Sequence, residues 1–287
     1  SRTVIPLGED GHQRPPTLDY IAQVAQAADV LGFEGALTPT GTSCEDSWIM
    51  CAALIPLTRN LKFLVAFRPG IVSPTLAAQQ AATFQRISNG RLLLNIVTGG
   101  NDAEQKSYGD WLTHDERYER CAEFIQVMRG VWTGTGFTFE GKHYRVEDAS
   151  ATEPPDPAPP LYFGGSSAAA EEVAARHLDV ALNWGEPPSM VKERLDRLRQ
   201  KAADQGRELR FGIRLHVITR DRAKDAWAET ERFLEQLDDD TVAEVQGTLS
   251  LSAAVGQQRM LALHGGDRSK LLVAPNLWAG VGLVRGG

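Results

Sequence analysis

Residues 61–98 read LKFLVAFRPGIVSPTLAAQQAATFQRISNGRLLLNIVT. Two nearly unbroken apolar, β-rich runs, 61–68 and 91–98, enclose one amphipathic segment, 76–87. Ser73 stands as a cap, and Pro74 takes the first helical position, where a missing N–H costs nothing. Ser88-Asn89-Gly90 supplies the stop. Continuous apolar runs are what parallel strands need when helices cover both faces of a sheet. The stretch therefore predicts one β–α–β unit.

The same rhythm extends in both directions. Further strands are expected over 35–39, 160–164, 179–184 and 210–218, giving six with the first two. Helical spacing recurs from Leu18 to Leu31 with Gly32 as a stop, and over 168–177, 190–205 and 223–237. Thr113 and Glu116 form a capping box ahead of a helix carrying Tyr118, Cys121, Ile125, Met128 and Trp132. A weaker strand candidate lies at 3–7. The rhythm breaks over about 133–159, where a hairpin centred on Glu140-Gly141 and a Pro-rich stretch predict a rim insertion. From Asp238 to the end the pattern reads as irregular, which predicts a mobile, lid-like insertion over about 238–287. The expected fold is α/β: one domain over 1–287, a (β/α)8 TIM-type barrel with insertions whose last strand lies outside this chain.

Composition narrows the functional classes. Of the 287 residues, 42% are hydrophobic and 23% charged. That is enough for a sizeable core and too apolar for a disordered chain. Thirty basic against 37 acidic residues give a net charge of −7. No general attraction to nucleic acid or anionic membrane is therefore expected, and an anionic ligand would need a local cationic site. Three cysteines, Cys44, Cys51 and Cys121, cannot build a disulfide framework and fit a reducing, cytoplasmic setting. No membrane-span run, signal-peptide layout or zinc-type spacing is read, so neither membrane nor metal is expected.

Four clusters could carry chemistry. Arg214 and His216 sit two apart in FGIRLHVI (211–218), so on a strand both would point to one face, into a closed barrel, with Leu215 and Val217 turned to the helices. An inward guanidinium needs an anionic partner, either a protein carboxylate or a ligand. In YFGGSSAAAEE (162–172), Gly164 and Gly165 allow close backbone approach. There Ser166, Ser167 and the helix-start amides offer a phosphate site, with simple serine capping as the plainer role. Asn95 interrupts an apolar face between Leu93 and Val97, and Trp184 heads a rigid turn, NWGEPP (183–188). Cys44 precedes a helix start, but Glu45 and Asp46 beside it oppose a thiolate.

Taken in order, TPTGTSCEDSW, the 61–100 stretch, HDERYE, PPLYFGGSS, NWGEPP, FGIRLHVI, VGQQRMLALH and PNLWAGVGLVRGG resemble the two-component alkanesulfonate monooxygenases of the bacterial luciferase-like flavin family. The likeness runs from about Leu18 to Gly287, with Thr42 standing where the family pattern has an arginine. The resemblance implies reduced FMN (FMNH2) as co-substrate with O2, a separate NAD(P)H-dependent FMN reductase, and a dimer or tetramer. It further implies cleavage of the C–S bond of an alkanesulfonate to an aldehyde and sulfite, for sulfur acquisition. Carried over, Arg214 and Arg285 would hold the sulfonate, and His216 would move protons. Trp184 and Cys44 would sit near the flavin, and Asn95, Thr98, Tyr118, Gly165, Ser166 and Ser167 would bind it. Other readings of the same residues are a luciferase-like monooxygenase for another small sulfur compound, a deazaflavin-dependent reductase, and a non-catalytic flavin-binding homologue.

Overall fold

The computed structural model describes residues 15–252 and 254–285, so the strand candidate at 3–7 lies outside the described residues. The chain opens with α1 (Leu18–Val30), β1 (Gly35–Thr38), α2 (Ser47–Leu54), β2 (Lys62–Phe67), α3 (Pro74–Ile87) and β3 (Leu92–Ile96). Next come α4 (Asp102–Ser107), α5 (His114–Val131), a hairpin of β4 (Phe137–Glu140) and β5 (Arg145–Ala149), then β6 (Leu161–Phe163) and α6 (Ala168–His177). β7 (Val180–Asn183), α7 (Pro188–Ala203), β8 (Arg210–Ile213) and α8 (Ala223–Glu235) complete the alternation. Among the described residues, six strands form one parallel sheet in the order β1-β2-β3-β6-β7-β8, curled as part of a TIM-type barrel.

The quoted β–α–β unit forms as its sequence dictates. Ser73 Oγ accepts the Leu76 amide at 3.2 Å, and Asn89 and Gly90 take positive φ at the helix stop. β2 and β3 pair in register from Phe63↔Leu92 to Phe67↔Ile96. Leu92, Leu94 and Ile96 face the buried layer between sheet and helices, with Phe63, Val65, Phe84, Phe124 and Met128. Side chains alternate across a strand, so Leu93, Asn95 and Val97 take the opposite, barrel-interior face.

The 133–159 stretch holds the expected hairpin, with β4 and β5 paired antiparallel. Its hairpin is fixed to α5 by Glu123, whose carboxylate accepts the amides of Lys142, His143 and Tyr144 at 2.8, 2.8 and 3.0 Å.

Two expectations are corrected. The strand read over 210–218 ends at Ile213; the Arg214 amide still donates to the Asn183 carbonyl at 2.9 Å, and residues 214–218 then leave the ladder. β8 is an edge among the described residues, with a partner strand on one side only. Alternation lapses there: Leu215 and Val217 are not turned into a helix layer but stand 46% and 77% exposed.

The segment after Asp238 is also not irregular. It holds α9 (Asp239–Ser250), α10 (Val255–His264) and a hairpin of β9 (Leu272–Ala274) and β10 (Leu277–Trp278). The acidic run is a helix start, in which Asp238 Oδ1 caps the Thr241 amide at 2.7 Å. Asp239 and Asp240 sit in the first turn, where the helix dipole favours anions. Gly265, at φ 56°, ends α10 in the left-handed conformation that a glycine adopts without strain. Val242, Leu271, Leu283 and Val284 give this segment a small core of its own against Phe233 and Trp278.

One buried cation ties the C-terminal ends of the strands together. Arg194 of α7, 1% exposed, donates from Nη1 to Asn183 Oδ1 at 2.7 Å and the Leu182 carbonyl at 3.1 Å. Its Nη2 donates to the Gly165 carbonyl at 2.5 Å. Asn183 Nδ2 continues the chain to the Gly212 carbonyl of β8 at 3.0 Å. Glu171, buried on α6, supplies the counter-charge at 3.9 Å from Arg194 Nε. Arg194→Met is expected to lower the unfolding free energy by about 3 kcal/mol, because the carboxylate and three acceptors would lose a buried partner. Urea denaturation measures this, and a loss below about 1 kcal/mol would show that the clamp does not hold the strands.

Candidate active site

The β6–α6 turn shows how a short sequence builds an anion site. Ser167 Oγ accepts the Ala170 amide at 3.2 Å and caps α6. Ser166 is thereby left over: its hydroxyl is buried and has no hydrogen-bond partner among the described residues. The first-turn amides of a helix lack intrahelical acceptors, so a free hydroxyl beside them suits a phosphate. The two glycines divide the work. A Cβ on Gly164 would meet open space, whereas one on Gly165 would lie 2.6 Å from the Phe163 ring and 2.7 Å from Ala170 Cβ. Gly165 is thus demanded by packing, and Gly164 faces the opening.

This turn forms one wall of a cavity of about 310 Å³ whose lining includes Asn95, Thr98, Tyr118, Ser166, Trp184 and Arg214. Asn95 Oδ1 is buried without a partner among the described residues, a second orphaned acceptor facing the same space. Tyr118 stands against Phe163, ring centroids 6.0 Å apart, and against His114 at 4.8 Å. The Thr98 carbonyl accepts Gln105 Nε2 at 2.8 Å, which fixes the end of β3.

A second cavity, of about 460 Å³, adjoins the first, and Trp184 and Arg214 line both. The Trp184 indole lies directly on Gly256 of α10, where an added Cβ would collide with Nε1. Arg214, His216 and Arg285 line the second cavity, and Trp227, Met260, Leu277 and Trp278 supply apolar surface. The structure brings Arg214, His216 and Arg285 to one cavity, with 214 and 216 in a loop rather than on the expected strand.

Among the described residues no carboxylate pairs with Arg214 or Arg285, and neither side chain has a hydrogen-bond partner. Surrounding protein and then the Arg285 charge lower the pKa of Arg214. Burial, then Arg214, then Arg285 lower that of His216 below the usual 6.5. A depressed imidazole is neutral at pH 7 and able to accept a proton. Such a site gains from binding an anion, since the anion removes repulsion that the protein itself leaves uncompensated.

Cys44 lies outside both linings. Its amide donates to the Gly41 carbonyl at 3.0 Å, in a loop moored through the Thr42 amide to Glu104 at 2.9 Å. Glu104 pairs in turn with buried Arg68 at 2.6 Å. Among the described residues no His/Cys/Asp/Glu group could hold a metal ion, and no helix is long and apolar enough to cross a membrane.

The model of the luciferase-like monooxygenase family matches residues 3–282. The chain belongs to that family. Solved structures share its fold at about a fifth sequence identity. A riboflavin lyase with modified FMN and riboflavin has a TM-score of 0.78 at 20% identity, over 94% of this chain and 74% of its own. A long-chain alkane monooxygenase has a TM-score of 0.75 at 20% identity, over 91% and 72%. An F420-dependent secondary alcohol dehydrogenase with an F420–acetone adduct has a TM-score of 0.61 at 20% identity, over 68% and 64%.

Sequence reasoning missed three residues around the site. Arg194 was legible in principle, because it shares an i, i+4, i+8 stripe with buried Leu198 and Ala202. Glu186, buried after β7, pairs with Arg259 of α10 at 2.7 Å and fixes that helix beside Trp184. Nothing local announces that pairing. His264 lines the second cavity from the C-terminal turn of α10, far in sequence from Arg214.

The charge arrangement fixes the direction of a titration. Arg285→Met removes one of the two cations that disfavour protonated His216, so its pKa is expected to move up toward 6.5. An NMR titration of the His216 ring protons checks this, and an unchanged or lower value would place Arg285 outside its field.

Proposed function

We propose that this chain is the oxygenase component of a two-component, FMNH2-dependent alkanesulfonate monooxygenase. The observation that carries the reading is a cation pair without a protein carboxylate among the described residues: Arg214, which lines both cavities, and Arg285, which lines the second, beside a first cavity with a phosphate-ready helix start. The first cavity fits a flavin mononucleotide: Ser166, Ser167 and the α6 amides would take its phosphate, and Asn95 Oδ1 would accept from a ring N–H. Thr98, Tyr118 and Gly165 complete that site. When bound, reduced FMN supplies the two electrons with which O2 is divided between product and water.

The balanced reaction converts RCH2SO3⁻, FMNH2 and O2 into RCHO, HSO3⁻, FMN and H2O. The C–S bond breaks, a C=O bond forms with one oxygen of O2, and sulfur leaves with the bonding pair as sulfite. The residues of the chain have separate tasks. Arg214 and Arg285 hold the sulfonate oxygens, as a guanidinium fork suits a tetrahedral oxyanion. Neutral His216 accepts the proton released at the carbon bearing sulfur. Trp184, pressed on Gly256, separates the cofactor from the substrate chamber and helps exclude water. The α9–α10 segment roofs the site, and Cys44 acts no closer than the rim.

Reduced flavin would come from an NAD(P)H-dependent FMN reductase, and a homo-oligomer in the cytoplasm is the setting the reading implies. The F420-dependent dehydrogenase on the same fold marks a second reading, a deazaflavin-dependent reductase. The unpaired cations next to an apolar chamber favour the sulfonate reading.

Sulfite release from alkane-1-sulfonates is expected to require FMN, NAD(P)H, a flavin reductase, O2 and this protein together. Arg214→Met should lower that release at least a hundredfold with circular dichroism unchanged, in line with lost oxyanion stabilisation of about 3 kcal/mol. Undiminished turnover would remove Arg214 from the site, and turnover with reduced F420 but not FMNH2 would favour the second reading.

A further inference from the structure

His264 is 2% exposed, belongs to no ion pair among the described residues, and lines the substrate chamber. Two consecutive left-handed glycines, Gly265 at φ 56° and Gly266 at φ 79°, fold the chain back over the end of α10. That turn brings the Gly266 amide within 3.0 Å of His264 Nδ1. A backbone amide can only donate, so Nδ1 must carry the lone pair. In a neutral imidazole the hydrogen then resides on Nε2.

The far side of the ring is therefore a donor with a fixed tautomer. It faces Gly282, where an added Cβ would lie 2.9 Å from Nε2. Gly282 is itself held in place, because Gln246 Nε2 donates to its carbonyl at 2.9 Å and to that of Leu283 at 2.8 Å. Both neighbours belong to the turn leading to Arg285, whose amide donates to the Val281 carbonyl at 3.1 Å. No protein acceptor for Nε2–H occurs among the described residues. His264 lines the chamber, so a ligand there could supply the acceptor.

We infer that His264 is a substrate-binding residue whose Nε2–H donates to an oxygen of the anionic head group held by Arg214 and Arg285. The inference rests on the anion-binding reading of this chamber and adds a neutral, directional donor to two cations. Cations fix where the charge sits; a single oriented N–H fixes how the head group is turned, and so where its C–S bond points.

Two substitutions separate this role from helix capping. His264→Asn keeps an acceptor for the Gly266 amide, as Nδ1 is, but does not reach the chamber. His264→Gln keeps an N–H donor near the Nε2 position and loses the cap. The measurement is anaerobic titration of the full chain, with reduced FMN present, by octane-1-sulfonate, followed by intrinsic tryptophan fluorescence and calorimetry.

His264→Asn is expected to keep its melting temperature and weaken sulfonate affinity about tenfold or more, as for loss of a hydrogen bond to a charged group. His264→Gln is expected to melt earlier while holding affinity near that of the unsubstituted chain. Unweakened binding by a folded His264→Asn variant overturns the inference and leaves His264 as a cap. Saturable sulfonate binding that Arg285→Met weakens but His264→Asn does not would sink only this inference. Absence of saturable binding by the unsubstituted chain overturns the sulfonate reading and this inference with it.

Discussion

A guanidinium placed where water cannot reach is costly unless acceptors and a counter-charge surround it, and Arg194 meets that constraint through its two Nη groups and nearby Glu171, joining parts of the chain that sequence keeps apart. It spans the β6–α6 turn through the Gly165 carbonyl, β7 through Leu182 and Asn183, and, by way of the Asn183 amide, β8. Burial lowers its pKa while Glu171 opposes the shift, so the charge is held by geometry as much as by its counter-ion. The phosphate-ready turn and the loop carrying Arg214 are positioned from this point. Parallel strands end in loops, and loops alone are too soft to fix a site; a buried fork bonded to two strand ends, and through Asn183 to a third, makes them rigid.

The arginines around this site fall into two kinds. Arg194, Arg68 and Arg120 are satisfied by Glu171, Glu104 and Asp110, and they serve the scaffold. Arg214 and Arg285 lack such partners among the described residues, in a chain whose net charge is −7. Acidic residues are abundant, so their absence from one chamber is a local property of the fold. The same distinction separates Ser167, consumed as a cap, from Ser166, whose buried hydroxyl has nothing to bond among the described residues.

The roof over the chamber has a separate origin from the barrel. It folds around Val242, Leu271, Leu283 and Val284, and touches the strand ends through Trp184 on Gly256 and Glu186 on Arg259. Two cavities meeting at one tryptophan and one arginine result from this join. The sheet shapes the floor of the first, and the roof supplies half of the lining of the second, facing the 214–218 loop and α8.

The order of strands and helices was legible because it depends on local pattern: unbroken apolar runs, helical spacing, and caps such as Ser73 and Thr113. The glycine–serine turn was legible for the same reason. The acidic start of α9 and the Gly265 stop of α10 were readable signals that the expectation of an irregular tail passed over. The extent of β8 was not readable, because a strand ends where its neighbours do, and a run such as FGIRLHVI looks alike at an edge and at a centre. Residue identity by itself determined which groups could bind an anion or a phosphate. Only tertiary structure decided which of them are free to do so, since a hydrogen bond or ion pair depends on a partner brought from elsewhere in the chain. Arg194 found three acceptors and a carboxylate, whereas Arg214, Arg285, Ser166, Asn95 Oδ1 and the Nε2 of His264 face their cavities with none among the described residues.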